Sequence, residues 1–292
     1  MTNKKRSYKL DSFDIVNIIL LTILMLMVLI PFYYTIVISF MEQQEFIMGG
    51  FTLWANKPTI ANYKDIVLYG GIGKAFYNSV VNTILGVCFS MFVTTTLAYG
   101  LSKKNYPGRT FIQNFVIFPM FFGGGLIPFF LTVKGLGLMN TRWAVIIPIG
   151  LSIFNAIILR NFFEQLPKDL EEAAIIDGAS PLRIFIQIHL PLIKPALATI
   201  ILFYAVDRWN EWFYSSLFLG DNDLWPMQVV LRQILYATEG MKKNIPPEAR
   251  RDTFSEGIKA ATVLLTMAPI MVVYPFLQKY FVKGIMIGAI KS

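Results

Sequence analysis

The chain has 292 residues, of which 55% are hydrophobic and only 15% charged, with 25 phenylalanines. That balance exceeds what a soluble core needs and places the chain among integral membrane proteins. The net charge of +8 would suggest nucleic acid in a soluble protein, but the basic residues flank apolar spans, the pattern that orients a membrane protein, so no nucleic-acid partner is expected. The one cysteine, Cys88, sits inside an apolar run, and the one histidine, His189, stands alone. An intramolecular disulfide, a cysteine-based metal cluster and a histidine-built metal site are thereby excluded.

Taken from the N-terminus, Lys4, Lys5 and Arg6 precede an apolar run from Phe13 to Phe40. The run is too long for a cleaved signal and lacks a small-x-small site at its end, so it is expected to remain as a first span. Crossing the hydrocarbon core takes about 20 apolar residues. Six segments meet that length: Ile15 to Phe40, Phe76 to Leu101, Phe111 to Val133, Trp143 to Phe162, Pro195 to Leu219 and Ala260 to Tyr280. The predicted fold is an all-α membrane protein of six transmembrane helices with both termini on one side. Basic residues at the N-terminus (Lys4, Lys5, Arg6, Lys9), in the second gap (Lys103, Lys104, Arg109), around Leu166 and in the tail (Lys279, Lys283, Lys291) put that side in the cytoplasm. The gap carrying Arg232, Lys242, Lys243, Arg250 and Arg251 argues the other way, but long loops cross largely regardless of charge. The resulting scheme is a cytoplasmic N-terminus (1–14), a six-helix membrane domain (15–280) with an inner loop at 166–191 and an outer loop at 220–259, and a cytoplasmic tail (281–292).

Between the first two spans, Met41 to Lys74 reads as an irregular loop and helix at the outer interface. Its end, G-G-I-G-K-A from Gly70 to Ala75, only faintly matches a phosphate loop. Leu68 stands where the first glycine belongs and Ala75 replaces the magnesium-binding Ser or Thr, so no ATP site is expected in this chain. In the third span, Gly123, Gly124 and Gly125 lie between Pro119 and Pro128. They fit either a helix broken beside a permeation path or close helix packing through small residues.

The fifth span is the most polar, reading A-V-D-R-W-N-E-W-F-Y from Ala205 to Tyr214. At about 1.5 Å per residue from Pro195, Asp207, Arg208, Asn210 and Glu211 lie about 18 to 24 Å in. Charges at that depth point to a functional site unless they pair or snorkel. Arg208 and Glu211 have the spacing to pair on the helix face. These four residues, with Phe122, Asn155 and Tyr204, are assigned to a translocation path. Aromatic rings beside polar groups suit a sugar, whose faces are apolar and whose edges carry hydroxyls. In the outer loop, Met227, Val230, Leu231 and Leu235 form one side of an amphipathic helix, interfacial or a dock for an external partner.

The most structured polar stretch is Leu166 to Pro191. Asp169 with Glu172 three residues on has capping-box spacing, Gly178 suits a left-handed helix end, and Ser180-Pro181 starts a second helix. On that second helix Leu182, Phe185, Ile186 and His189 make one apolar stripe that needs a partner.

The residues Glu172-Ala173-Ala174-Ile175-Ile176-Asp177-Gly178-Ala179, with Phe185, Ile188, Leu190 and Pro191, resemble the E-A-A loop of permease subunits of binding-protein-dependent ABC importers. That pattern is E-A-A, a glycine four residues later, then I-x-L-P, and every fixed position is present. The six spans, the W-N-E-W of the fifth and the tail F-V-K-G-I-M-I-G-A-I-K-S resemble the sugar-importer branch. That branch includes the second permease subunit of the maltose system and Gram-positive complex-saccharide permeases.

The resemblance implies a type I importer permease fold and a multi-pass location in the bacterial cytoplasmic membrane. It implies a second homologous permease subunit, two ATPase subunits that bind the ATP and magnesium, and an extracellular sugar-binding protein, a lipoprotein in a Gram-positive cell. No cofactor is implied in this chain, which is a transport subunit and not an enzyme. The ATPase-coupling residues are then Glu171, Glu172, Ala173, Ala174, Asp177, Gly178, Phe185, Leu190 and Pro191, with Glu172 making the polar contact, both alanines allowing close approach and Gly178 making the turn. The tail from Gly284 to Ser292 is implied to reach toward the ATPase, and the outer loop to meet the binding protein. Two other classes compete. One is a self-sufficient secondary transporter using Asp207, Arg208 and Glu211 as an ion relay. The other is an enzyme acting on lipid-linked sugars, against which there is no close carboxylate pair outside the E-A-A loop and no His or Cys cluster.

Overall fold

The computed structural model describes residues 11–69, 71–104, 106–244 and 254–289. Among the described residues the structure is helical, without strands. In chain order the α-helices are α1 (Ser12–Ser39), α2 (Gln43–Gly49), α3 (Ala61–Tyr69), α4 (Ile72–Ser102), α5 (Arg109–Phe121), α6 (Leu126–Gly135), α7 (Ile153–Glu164), α8 (Lys168–Ile176), α9 (Pro181–Ile184), α10 (Leu190–Leu192), α11 (Lys194–Trp209), α12 (Phe213–Phe218), α13 (Met227–Asn244) and α14 (Ser255–Ala289). A π turn, Phe185–His189, joins α9 to α10.

Three of the predicted spans are single helices long and apolar enough to cross a membrane: α1, α4 and Ser255–Pro275 of α14. The others are interrupted. The predicted span Phe111 to Val133 is α5 and α6, set at 114° across the residues Phe122 to Gly125. Gly123 and Gly124 have no neighbouring atom within 4 Å of where a Cβ would be, and Gly125 has φ +85. The helix is thus broken at the three glycines, and among the described residues of this chain nothing packs against Gly123 or Gly124. The predicted span Trp143 to Phe162 is a 3-10 turn (Arg142–Val145), an irregular stretch and then α7, which has only 12 residues. The predicted span Pro195 to Leu219 is likewise two helices, α11 and α12, parted at Asn210 to Trp212.

The chain divides into two compact units, one from the described residues within 1–70 and 235–265, the other from those within 71–234 and 266–292. In the first, Val37, Met41 and Phe254 form a small core, and the buried Asn62 donates to the carbonyls of Ser39 and Met41 at 3.0 and 3.1 Å. The second unit is built on α4, α7 and α11, which bury Ala98, Leu159, Phe163, Ile193, Ala196, Ile200 and Tyr204 together. On α4 the inward residues Asn78, Asn82, Gly86, Ser90, Thr94 and Ala98 recur every four positions, the spacing that keeps side chains on one helix face. Small and polar residues on that face let other backbones approach and give them hydrogen bonds.

The N-terminal half of α4 anchors the start of the loop 220–259, which the sequence predicts to lie outside. Asn78 donates to the carbonyls of Asp223 and Trp225, Ser79 Oγ accepts from the Met227 N–H at 2.8 Å, and Arg142 donates to Asn78 and Asn82. Lys74, from the faint phosphate-loop match, instead pairs with Asp223 at 2.7 Å. The predicted amphipathic helix is α13, whose buried residues near its start are Met227 and Val229; Val230, Leu231 and Leu235 are only half-buried. The basic N-terminal cluster lies outside the described residues, as do 245–253 of the outer loop and 290–292 of the tail.

Candidate functional site

Two groups of polar residues in the second unit carry the candidate chemistry, and α4 reaches both. The first surrounds the end of α11. Arg208 is buried, 8% exposed, and its guanidinium donates to the carbonyls of Val145 (2.8 Å) and Ile149 (2.6 Å) and to Ser90 Oγ (3.0 Å). The reason lies in the stretch before α7, where non-helical backbone leaves carbonyls that no helix satisfies. Such backbone persists at membrane depth only when protein groups or water satisfy it. Gly86 makes the approach possible, since a Cβ there would stand 3.0 Å from Arg208 Cδ.

The expected pair between Arg208 and Glu211 does not form. Glu211 accepts from the backbone N–H groups of Tyr214 (2.6 Å) and Ser215 (3.0 Å) and from the Ser215 hydroxyl. It caps the N-terminus of α12, where a carboxylate satisfies free donors. The break at Asn210 to Trp212 separates the two side chains, which a continuous helix would have held three apart on one face.

Around these residues lie two cavities that share Ser152 and Asp207. One, of about 410 Å³, is lined by Ser152, Asn155, Asp207 and apolar neighbours. The other, of about 280 Å³, is lined by Tyr204, Asp207, Arg208, Asn210, Glu211 and the rings of Trp212, Phe213 and Tyr214. Tyr204 is held by Thr94 Oγ1 at 2.6 Å and accepts from the Ser152 N–H at 3.0 Å. Asn210 donates to the Val206 carbonyl and accepts from Gln228. Of the seven residues assigned to a path, six thus line these cavities. Phe122 does not: it is 66% exposed in the break between α5 and α6 and stacks on Phe118. Sequence reasoning missed Ser90, Thr94 and Ser152, although Ser90 and Thr94 were legible as polar members of the four-residue stripe in an apolar span.

The second group is the short-helix segment. Helix α8 begins after Pro167 with no side-chain cap, so the expected capping box of Asp169 and Glu172 is absent; both residues lie inside the first turns. The C-terminus follows the expectation. Gly178 has φ +76, its N–H reaches the Ile175 carbonyl at 3.0 Å, and the Ala179 N–H reaches the Ala174 carbonyl at 2.9 Å. These are the two bonds of a Schellman ending. Ser180 then accepts from the Arg183 N–H at 3.3 Å, with Pro181 opening α9. The π turn rotates the residues after Ile184, which divides the predicted apolar stripe. Of its members, Leu182 and Ile186 are 65% and 51% exposed, while Phe185 packs on the core and His189 is buried. The axis of Pro181–Leu192 lies at 82° to α11, so this piece runs across the span and not along it.

The predicted coupling residues divide between two faces. Glu172, Ala173, Asp177, Gly178 and Pro191 are exposed. Ala174 is buried, which corrects the expectation that both alanines present themselves to a partner: the small side chain of Ala174 serves packing within the chain. Phe185 and Leu190 pack on the α4, α7 and α11 core. Glu171 Oε1 meets Lys103 Nζ at 2.5 Å, and its Oε2 stands 3.7 Å from His189 Nε2. Burial holds the His189 imidazole below the usual histidine value; the Lys103 charge adds to this and Glu171 opposes it.

With this geometry in place, residues 70–287 match the family described as binding-protein-dependent transport system inner membrane component. The chain is 42% identical over 287 residues to the protein LplC of Bacillus subtilis, covering 96% of this chain and 95% of that one. It is 40% identical over 288 residues to the polygalacturonan/rhamnogalacturonan transport system permease protein YtcP of the same organism, covering 96% and 98%. Among solved structures, a bacterial ABC transporter involved in the import of the acidic polysaccharide alginate contains a chain that superposes with a TM-score of 0.86 at 31% identity, covering 94% of this chain and 100% of that one.

Proposed function

This chain belongs to the family of binding-protein-dependent transport system inner membrane components, a membrane transport subunit and not an enzyme, and we propose that it forms half of the translocation path of an ATP-driven oligosaccharide importer. A second, homologous permease subunit supplies the other half. Two ATPase subunits hold ATP and magnesium on the cytoplasmic side, where both termini of this chain lie. An extracellular sugar-binding protein delivers cargo to the outer face. The sugar class is supported by YtcP and the alginate importer, whose names state polysaccharide transport.

The observation that carries the coupling role is the open face of the short helices. Along the short-helix segment Glu172 is exposed, and so are the apolar Ile175, Ile176, Leu182 and Ile186, by 58%, 86%, 65% and 51%. An apolar patch with a charged member fits a cleft on a partner protein. ATP-driven closure in trans would move this face and so shift the spans between two states, which requires of the chain only contacts that differ between those states. Along the path, Asp207, Asn155 and the rings of Trp212 and Tyr214 offer acceptors and apolar platforms for sugar. Among the described residues lining the cavities the one cation is Arg208, which spends three of its five N–H donors on two carbonyls and Ser90. Next to this lining, the Arg232 guanidinium stacks on the Trp212 ring, 3.1 Å from its centroid, so the chain offers a cation beside the cavity as well as acceptors for hydroxyls.

The test is co-expression with candidate permease, ATPase and binding-protein subunits, followed by ATP hydrolysis with the binding protein loaded with neutral or with uronic-acid oligosaccharides. Stimulation by one class identifies the cargo. Replacing Glu172 or Gly178 is expected to abolish that stimulation while membrane insertion persists. Normal stimulation with both variants would remove the coupling role.

A further inference from the structure

We propose that Glu171 is a positioning residue that ties the short-helix segment to the end of α4, so that a displacement of the segment's open face becomes a displacement of α4. The proposal rests on the coupling role argued above and assigns the inner face of the same element.

Glu171 and Ala174 are one turn apart and both face inward, whereas Glu172 and Ala173 face out. Lys103 is the first residue beyond α4, and its ammonium has two partners: the Glu171 carboxylate at 2.5 Å and the face of the Tyr99 ring, 4.5 Å from its centroid. The Tyr99 ring in turn packs against Phe185 (4.6 Å between centroids), His189 (5.3 Å) and Phe163 (5.5 Å). The second Glu171 oxygen lies toward His189, whose Nδ1 is buried without a partner. One carboxylate thus joins α8, the end of α4 and the π turn.

The Lys103 and Glu171 side chains are each about one-third exposed, 33% and 32%, and an ion pair in that setting adds little to stability because water screens it. What it supplies is register. Without it, the inner face of α8 is held by Ala174 and the Schellman turn, and neither has a directional contact with α4. Farther along α4, Ser90 binds Arg208 beside the cavities. From Lys103 to Ser90 is about 20 Å of continuous helix at about 1.5 Å per residue, a rigid lever between the open face and the path.

The experiment uses the complete importer, with both permeases, ATPase and binding protein, reconstituted in lipid vesicles with ATP as the probe. It compares Glu171→Gln, Lys103→Met and the charge exchange Lys103→Glu with Glu171→Lys. Two quantities are read: the amount of ATPase that co-purifies, and the ratio of hydrolysis with and without binding protein. The expected result is unchanged co-purification, a stimulation ratio lowered about tenfold by each single change, and recovery of most of it by the exchange. Wild-type ratios in the single variants, or an exchange no better than either of them, would overturn the proposal, as would loss of ATPase from the single variants, which would make the pair part of assembly. A wild-type chain that retains no ATPase would instead overturn the coupling role itself.

Discussion

Arg208 and Lys103 are both cations that meet α4, and their surroundings treat them in opposite ways. Arg208 is sealed in, and its hydrogen-bond partners are the carbonyls of Val145 and Ile149 and a hydroxyl. Lys103 is partly wet, and its partners are a carboxylate and a ring face. In the first case the charge completes irregular backbone that could not otherwise exist in a membrane. In the second it connects two surfaces that are each already folded. The contrast separates structural from transmitting charge: removing a buried donor leaves stranded acceptors and costs a large part of a protein's stability, while removing an exposed partner leaves groups that water can solvate.

The sharpest way to break this contrast is to neutralise each cation. Arg208→Met is expected to lower the unfolding free energy in detergent by about 3 kcal/mol or more, whereas Lys103→Met costs less than about 1 kcal/mol. Denaturant titration of the two purified variants compares them directly, and equal losses would erase the distinction. Next in size, Gly86→Val puts methyl groups where Arg208 Cδ and Nε already stand 3.0 and 3.1 Å from a Cβ. Overpacking of that kind costs about 1–3 kcal/mol, and the same titration measures it. If Gly86→Val proves silent, Arg208 is looser than its contacts imply.

The smallest effect sharpens the wet side. His189 is packed against Tyr99 and faces Lys103 and Glu171, and its folded-state value is lowered. Its contribution is therefore fully present above the unfolded histidine value of about 6.5, and is lost as pH falls below that toward the folded value, where the unfolded chain takes up the proton first. Thermal unfolding in lipid nanodiscs should show a loss of stability in wild type as the pH falls below about 6.5. His189→Gln should lack that part of the pH dependence; an identical profile in both would assign it to other groups.

Much of the molecule was legible along the chain. The apolar runs predict α1, α4 and α14, because length and composition alone decide whether a helix can cross a bilayer. Gly178, Ser180 and Pro181 predict the turn between the short helices, because capping is a matter of a few neighbouring residues. The expectations that failed involve choices between local partners and distant ones. The spacing of Arg208 and Glu211 allows a pair, but each side chain finds better partners once the helix breaks between them. Asp169 and Glu172 have capping-box spacing, yet α8 starts earlier, after Pro167. The stripe from Leu182 to His189 assumes a regular 3.6-residue period, and the π turn interrupts it.

What the sequence by itself determined is the class of protein, the helical segments, the glycine turn and the E-A-A pattern, all of which depend on composition and short-range spacing. Only the tertiary structure decided which side of each helix is used. It turned Ala174 and Glu171 inward and left Glu172 and Ala173 open, it sent Arg208 to carbonyls some sixty residues away in sequence, and it set Asn155 in one cavity, Tyr204 in the other and Asp207 in both. The physical reason is that a buried polar group must be satisfied by whatever the fold brings within about 3 Å, and no spacing along the chain records which group that is.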